Sequence, residues 1–283
     1  MHLLQIVVLA VIQGFAELLP ISSSAHVIVA EKLMGLDPTL PEMTLLLVML
    51  HTGTMLAVIA YFRKGWKEHY FQVDPKGKAF LTQVVLGTGV TLILGYILKR
   101  VIEKVLLGGG PGVEVESLFG NLKLISLSLA VAGTLILFAS NYEKRAGREK
   151  ELVGPLESTW IGLIQGLCLP FRGFSRSGAT ISAGLILGLG KEKSEEFSFA
   201  LAVVLTPFAI GVETVRFLKA HPFAGLSLGQ TVGLFLPGIL GMIFSFFAGL
   251  FALRWLSNWL SAGRWAWFGF YCLAASIAVW CLA

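Results

Sequence analysis

Hydrophobic residues along the chain fall into long runs that are separated by short polar segments. Six runs are each long enough to cross about 30 Å of hydrocarbon as a helix, and they lie at approximately 43–62, 80–98, 118–139, 197–217, 229–253 and 265–282. The polar segments between the runs are too short to hold a further domain. The pattern therefore predicts an all-α integral membrane protein with one membrane domain, residues 1–283.

Two further apolar stretches, 3–34 and 158–190, are interrupted by polar residues near their middle. The first interruption runs from Glu17 to His26, and the second runs from Pro170 to Gly178. Non-helical backbone at membrane depth requires protein or water around it. Each stretch therefore predicts two short helices joined by a polar turn, which together form a re-entrant hairpin rather than a crossing.

The two interrupted stretches resemble each other in sequence. Ile12–Gly14 is followed by Pro20 and a serine-rich turn, and Ile164–Gly166 is followed by Pro170 and another such turn. Three predicted crossings follow each hairpin, which indicates an inverted-topology repeat with both turns at the membrane midplane. The two repeats cover about 1–140 and 155–283. Two kinked helices with a chance similarity are the alternative.

Composition and charge agree with a membrane protein and give it an orientation. The chain is 55% hydrophobic and 14% charged, whereas about 25% of the residues of soluble domains are charged. The net charge of +5 does not predict a nucleic-acid partner, because the charges cluster in loops between apolar runs. Roughly twice as many lysines and arginines, including Lys144, Arg145 and Arg148, lie on one side of the crossings, and such an excess marks the cytoplasmic side. Both termini are then expected outside.

Charged residues occupy the two interruptions, where a charge is costly and by default marks function. The second interruption contains Arg172 and Arg176, and the first contains Glu17 and His26. An arginine binds phosphate oxygens through a bidentate fork. A histidine acts as a nucleophile or as an acid and base near neutral pH, and a glutamate orients it or holds a metal ion. The interruptions therefore predict a phosphate site.

Hydroxyl groups and a glycine surround these charges. They are Ser22, Ser23, Ser24, Ser175, Ser177, Thr180 and Gly178. Serine and threonine in membrane helices more often form hydrogen bonds between helices, and a lone membrane histidine such as His51 is more often structural. An arginine could also simply pair with a glutamate to hold the hairpins together. The convergence of Glu17, His26 and Arg176 on two related interruptions favours the functional interpretation.

The segments Gln13–His26 and Arg172–Thr180 resemble the two motifs of the undecaprenyl-diphosphate phosphatase family, also called bacitracin-resistance proteins. The similarity continues through Glu195–Phe199 and covers essentially the whole chain. Two long motifs in the right order make the resemblance specific.

Three positions depart from the family pattern. Gln13 stands where the family has a glutamate, Ala25 where it has a glycine, and Arg172 where it has a proline. The resemblance implies a divalent cation, Mg²⁺ or Ca²⁺, held by Glu17 and Gln13, although an amide oxygen is a weaker ligand than a carboxylate for a hard cation. Arg172 adds a second phosphate contact or compensates for the altered charge.

The resemblance implies hydrolysis of undecaprenyl diphosphate to undecaprenyl phosphate and phosphate. That reaction recycles the lipid carrier for peptidoglycan synthesis and gives bacitracin resistance. The enzyme would lie in the bacterial cytoplasmic (inner) membrane, with its active site open to the periplasmic side and the apolar chain of the lipid between helices. A homodimer is a further expectation.

The resemblance also implies roles for the site residues. Arg176 would bind the non-bridging phosphate oxygens with help from the surrounding hydroxyls. His26 is the expected nucleophile, or else the acid–base partner of Ser23, and Glu17 would orient His26 or hold the cation.

Two other functions fit the same layout. Inverted repeats with broken helices are typical of transporters, so a lipid-phosphate flippase is one alternative, and a relative that lost its chemistry through Gln13 is another. Phosphate release by the purified protein in detergent separates hydrolysis from transport, because transport breaks no bond.

Overall fold

A computed structural model of the chain describes residues 2–36, 41–69, 75–108, 115–143, 150–220 and 228–283. Within these ranges the chain is helical, with turns between helices and one isolated bridge between Lys150 and Leu189. The α-helices are α1 (Leu3–Leu18), α2 (Ser23–Leu33), α3 (Pro41–His69), α4 (Pro75–Val101), α5 (Leu122–Glu143), α6 (Pro155–Cys168), α7 (Arg176–Ile186), α8 (Lys191–Ala220), α9 (Leu228–Ser261) and α10 (Trp265–Cys281). A π-helical turn, Ile102–Leu106, and a 3₁₀ turn, Val115–Leu118, follow α4. The predicted all-α class is confirmed.

The two interrupted stretches form pairs of short helices. α1 and α2 have 16 and 11 residues, and α6 and α7 have 14 and 11. At 1.5 Å per residue an 11-residue helix is about 16 Å long, which is roughly half the thickness of the hydrocarbon core. α2 and α7 are therefore too short to cross a membrane, and each packs against the helix that precedes it.

The long apolar runs form long helices. Five described helices are long and apolar enough to cross a membrane, and they cover Met43–Lys67, Gly77–Val105, Leu122–Glu143, Lys191–Val215 and Val232–Ser261. The sixth predicted run forms α10, which has 17 residues and a length of about 26 Å. The exact number of crossings and the inversion of the repeat stay predictions. The basic residues Lys144, Arg145 and Arg148 lie outside the described residues, so the orientation stays a prediction too.

The order of helices is a pair of short helices followed by three longer ones, twice along the chain. Two packing contacts agree with this repetition. α1 packs on α9, and their counterparts in the other half of the chain, α6 and α4, also pack on each other. α3 packs along α9, and α5 packs along α10. The fully buried side chains of Leu129, Ile136, Phe197, Phe199 and Trp265 belong to one apolar core.

Glycines permit the close approach of α5 and α10. A Cβ atom on Gly133 would lie 2.9 Å from the carbonyl oxygen of Gly269 and 3.1 Å from the Cβ atom of Cys272. Small residues at helix contacts let backbones approach closely in membranes. The contact between α5 and α10 therefore depends on the missing side chain at Gly133.

We predict that Gly133→Ala destabilises the protein by about 1–3 kcal/mol, the usual cost of overpacking. The matched control is Gly89→Ala on α4, where an added Cβ atom would have no neighbour within 4 Å. Thermal unfolding in detergent measures both variants. Equal unfolding temperatures for the two variants would contradict the packing argument.

Candidate active site

The two polar turns meet, although about 150 residues separate them in the chain. Arg176 Nη2 donates a hydrogen bond to Glu17 Oε1 at 2.9 Å, which makes an ion pair between the hairpins. The backbone N–H of Gly173 donates to Ser24 Oγ at 3.3 Å. Gly173 has a φ of +96°, and a Cβ atom there would meet the backbone of Ile125, so this turn requires a glycine. The predicted juxtaposition of Glu17 and Arg176 is therefore present.

A polar pocket of about 190 Å³ lies between the two turns. The predicted site residues that line it are Glu17, Ser22, Ser23, Ser24, Arg172, Ser175, Arg176 and Ser177. Arg176 Nη1 is buried and has no acceptor among the described residues. The guanidinium group therefore keeps a donor for an anion while Nη2 binds Glu17. A pocket with this donor fits a phosphate group.

Ser23 lies beside Glu17. Its Oγ donates to Glu17 Oε2 at 2.5 Å, a short distance that is typical of a hydroxyl bound to a carboxylate. Gln13 Nε2 donates to the same oxygen at 3.2 Å. Ser22, which precedes Ser23, has a φ of +69°, an uncommon conformation for a residue with a side chain. Such backbone strain is concentrated at functional sites, and here it turns the chain from α1 into α2.

Two helices begin at this pocket. α2 starts at Ser23 and α7 starts at Arg176. Ser175 caps α7, because its Oγ accepts a hydrogen bond from the N–H of Gly178 at 3.2 Å, whereas the side chain of Ser22 makes no such bond to α2. Helix N-termini carry free amide groups and a partial positive charge that attract anions. Both N-termini therefore favour a phosphate in the pocket.

His26 lies on another face of α2. Its Nδ1 is 2.7 Å from the carbonyl oxygen of Ser22, and its Nε2 is 2.6 Å from the hydroxyl of Tyr271. A carbonyl oxygen only accepts, so Nδ1 carries the proton of the neutral ring and Nε2 accepts from Tyr271. The two rings also stack, with centroids 5.6 Å apart. His26 lines a separate apolar cavity and does not line the polar pocket.

Two other predicted hydroxyls, those of Thr180 and Ser177, make hydrogen bonds within the protein. Thr180 Oγ1 donates to the carbonyl oxygen of Arg176 at 2.8 Å and lies 2.5 Å from Ser198 Oγ. Ser177 Oγ donates to the carbonyl oxygen of Leu19 at 3.2 Å, which adds a third link between the hairpins. Neither Thr180 nor Gly178 lines the polar pocket. Both support α7, and their predicted contact with the substrate stays a prediction.

Arg172 lines the pocket at a position where the related motif has a proline. Its guanidinium carbon lies 4.4 Å from the centroid of the Phe119 ring, which is a cation–π distance. Arg172 therefore brings a second positive charge to the pocket wall, and Phe119 holds the side chain there.

Two residues that contact predicted site residues were not themselves predicted to belong to the site. His51 Nδ1 on α3 lies 3.0 Å from Gln13 Nε2 and 3.7 Å from Glu17 Oε2. His51 is an ionisable residue in an apolar run, and such a residue is a functional candidate by default. A structural role was nevertheless predicted for it. Tyr271 lies near the middle of α10 and carried no signal in the sequence.

The residues around Glu17 do not fit a divalent cation. Mg²⁺ and Ca²⁺ prefer several oxygen ligands, but Glu17 supplies one carboxylate whose two oxygens already accept hydrogen bonds. Gln13 turns its amide nitrogen toward Glu17 and His51. Across the described ranges, no group of three His, Cys, Asp or Glu side chains could hold a metal ion. The predicted Mg²⁺ or Ca²⁺ at Glu17 and Gln13 stays a prediction, and no reaction step is derived through it.

Comparison with known proteins gives matches over nearly the whole chain. The sequence model of the family described as "Bacitracin resistance protein BacA" matches residues 6–278. The chain is 55% identical over 284 residues to undecaprenyl-diphosphatase 2 of Acinetobacter baylyi, which covers 100% of this chain and 99% of that relative. It is 34% identical to the undecaprenyl-diphosphatase of Desulfatibacillum aliphaticivorans, with 96% and 95% of the two chains covered. It is 31% identical to undecaprenyl-diphosphatase 2 of Oenococcus oeni, with 99% and 98% covered.

We predict that Arg176→Ala destabilises the protein by about 1–3 kcal/mol, because the partly buried Glu17 carboxylate keeps the hydrogen bonds from Ser23 and Gln13 but loses its cationic partner. The double variant Glu17→Gln/Arg176→Ala should regain much of this loss, since the uncompensated charge is gone. Thermal unfolding in detergent measures each variant against Arg254→Ala, which removes an exposed arginine. A double variant as unstable as Arg176→Ala would refute the coupling.

Proposed function

The chain belongs to the bacitracin resistance protein BacA family, and from this premise we propose that Ser23 and Glu17 carry out phosphoryl transfer in the pocket between the two hairpins. The protein is a multi-pass membrane enzyme that hydrolyses undecaprenyl diphosphate to undecaprenyl phosphate and phosphate. The observation that carries the assignment is the 2.5 Å hydrogen bond from Ser23 Oγ to Glu17 Oε2, beside the guanidinium group of Arg176.

Binding of the diphosphate comes first. The terminal phosphate enters the polar pocket, where Arg176 and the N-termini of α2 and α7 donate hydrogen bonds to its non-bridging oxygens. Phosphoryl transfer needs chiefly positioning and neutralisation of charge, and Arg172 adds a second positive charge at the wall. As Arg176 turns toward the phosphate, its bond to Glu17 weakens, and the Glu17 carboxylate becomes free to accept a proton.

Two balanced steps follow. Ser23 Oγ attacks the terminal phosphorus, an O–P bond forms, and the proton of Ser23 moves to Glu17. The bond from that phosphorus to the bridging oxygen breaks, and undecaprenyl phosphate leaves with the electron pair. Water then attacks the phosphoserine, the Oγ–P bond breaks, and Glu17 returns its proton to Ser23. Both water protons stay on the released phosphate.

His26 is the second candidate for the nucleophile. Its Nε2 would have to leave the hydroxyl of Tyr271, and the ring would have to turn from the apolar cavity toward the polar pocket. In the proposal His26 instead holds the strained turn, because its Nδ1 binds the carbonyl oxygen of Ser22 at 2.7 Å. The chemical stability of a trapped phosphoenzyme separates the two candidates.

We predict that a brief reaction with undecaprenyl diphosphate labelled in its terminal phosphate gives a phosphoenzyme that survives acid and is lost in base, as a phosphoserine does. Ser23→Ala should abolish the label, and Glu17→Gln should lower kcat by about 100-fold or more through loss of the base. Ser257→Ala is the matched control, because Ser257 Oγ donates to a different carboxylate, that of Glu195, and Ser257 does not line the polar pocket.

A base-stable, acid-labile label that persists in Ser23→Ala would assign the nucleophile to His26. The same assay with Mg²⁺, with Ca²⁺ and with chelator tests the cation. A homodimer remains a prediction as well.

For the location we propose the cytoplasmic (inner) membrane, with both termini and the active site on the periplasmic side. The excess of basic residues in one set of loops supports this orientation. The opposite orientation would place the polar pocket toward the cytoplasm.

The native cysteines offer a direct test of the orientation. Cys281 is exposed at the end of α10, whereas Cys168 and Cys272 are buried. We predict that a maleimide that passes the outer membrane but not the inner membrane labels Cys281 in intact cells. Cys281→Ser is the control that should remove the label. Labelling that appears only after the inner membrane is opened would place the C-terminus in the cytoplasm.

A further inference from the structure

An apolar cavity of about 520 Å³ lies between α2 and α10. Its volume falls in the range of about 300–1,000 Å³ that is typical of small-molecule sites. Val29, Ala30 and Leu33 form the wall on α2, and Ala274 and Ala278 are among the residues that form the wall on α10. The cavity offers polar side chains only at His26 and Tyr271, within the described lining. Its chemistry therefore fits a hydrocarbon chain.

The cavity adjoins the polar pocket along α2. Ser22, Ser23 and Ser24 line the pocket, and the next two residues, Ala25 and His26, line the cavity. The pocket and the cavity therefore lie on two faces of the first turn of α2, a separation that a chain attached to a bound diphosphate can span.

The open space that forms the cavity lies beside α2, whereas the corresponding helix α7 is covered by α5. α7 packs along α5, and a Cβ atom on Gly178 would lie 3.0 Å from Ile136 Cδ1. The corresponding helices of the other predicted repeat, α2 and α10, make few close backbone contacts. Alanines on α10 leave the space between them open. The cavity is therefore a local feature of this helix pair, and the general architecture does not require it.

We propose that the cavity between α2 and α10 binds the isoprene units of the substrate that lie next to the diphosphate, while the rest of the prenyl chain stays in the bilayer. This proposal rests on the proposed function, because a diphosphate in the polar pocket fixes where the chain begins. Burial of apolar surface then favours binding of a substrate with a long prenyl chain. The cavity selects prenyl diphosphates over diphosphates without a chain.

Substitutions that fill the cavity test this selection. Ala274 and Ala278 are exposed along the open side of the cavity, so a phenylalanine at either position fits without disturbing the helix contacts. Ile277→Phe is the control, because Ile277 is 68% exposed on α10 and does not line the cavity. We predict that Ala278→Phe raises the KM for undecaprenyl diphosphate about 10-fold or more. Turnover of methyl diphosphate, which carries no isoprene unit, should stay at the level of the control.

Two results would overturn the proposal. One is an Ala278→Phe variant that matches Ile277→Phe on undecaprenyl diphosphate. The other is an equal loss with both substrates, which would mean that the substitution acts on the polar pocket instead of on the chain.

A labelling experiment separates this proposal from the assignment of Ser23. A long-chain prenyl alcohol with a photoreactive group near its hydroxyl end carries no phosphate and undergoes no hydrolysis. We expect it to label peptides of α2 and α10, and we expect Ala278→Phe but not Ile277→Phe to abolish the label. Labelling elsewhere in the protein would refute the cavity as the chain site, whereas a failed phosphoenzyme experiment would leave the labelling result unaffected.

Discussion

The ion pair between Glu17 and Arg176 connects the architecture of this protein to its chemistry. A single charge in a hydrophobic surrounding is expensive, and removal of one member of a buried pair is strongly destabilising. Arg176 Nη2 lies 2.9 Å from Glu17 Oε1, and the other oxygen of Glu17 accepts from Ser23. The contact that joins the two hairpins thus also places a carboxylate beside a hydroxyl and beside a guanidinium group that can bind phosphate.

The shortness of α2 and α7 allows their N-termini to lie at the polar pocket beside this ion pair. α2 and α7 have 11 residues each and begin at the polar pocket, so two helix N-termini and their free amide groups face one region. A pair of full crossings would place helix ends at the membrane surface, where water screens them. Interrupted helices instead bring the N-terminal charge of two helices to a partly enclosed site, where electrostatic interactions are stronger than in water.

The sequence was sufficient for the order of the helices and for the meeting of Glu17 and Arg176, because charges in apolar runs are costly enough to stand out. It was not sufficient for the direction of each side chain. Thr180 could bind a phosphate or its own helix, and the structure directs it to the carbonyl oxygen of Arg176 and to Ser198. The orientation of His26 depends on Tyr271, which lies 245 positions away. No local pattern encodes such a contact, since it arises from how α2 and α10 approach each other.

The same contacts bear on the choice between hydrolysis and transport. Alternating access requires one repeat to rock against the other around the binding site. Here the two hairpins are joined by the Glu17–Arg176 pair and by hydrogen bonds from Gly173 to Ser24 and from Ser177 to Leu19. All three links would have to break in such a motion. The turns also carry opposite charges, so they complete one site together instead of forming two equivalent half-sites. A fixed site that holds a base, a hydroxyl and a guanidinium group in contact is suited to breaking a bond at one place.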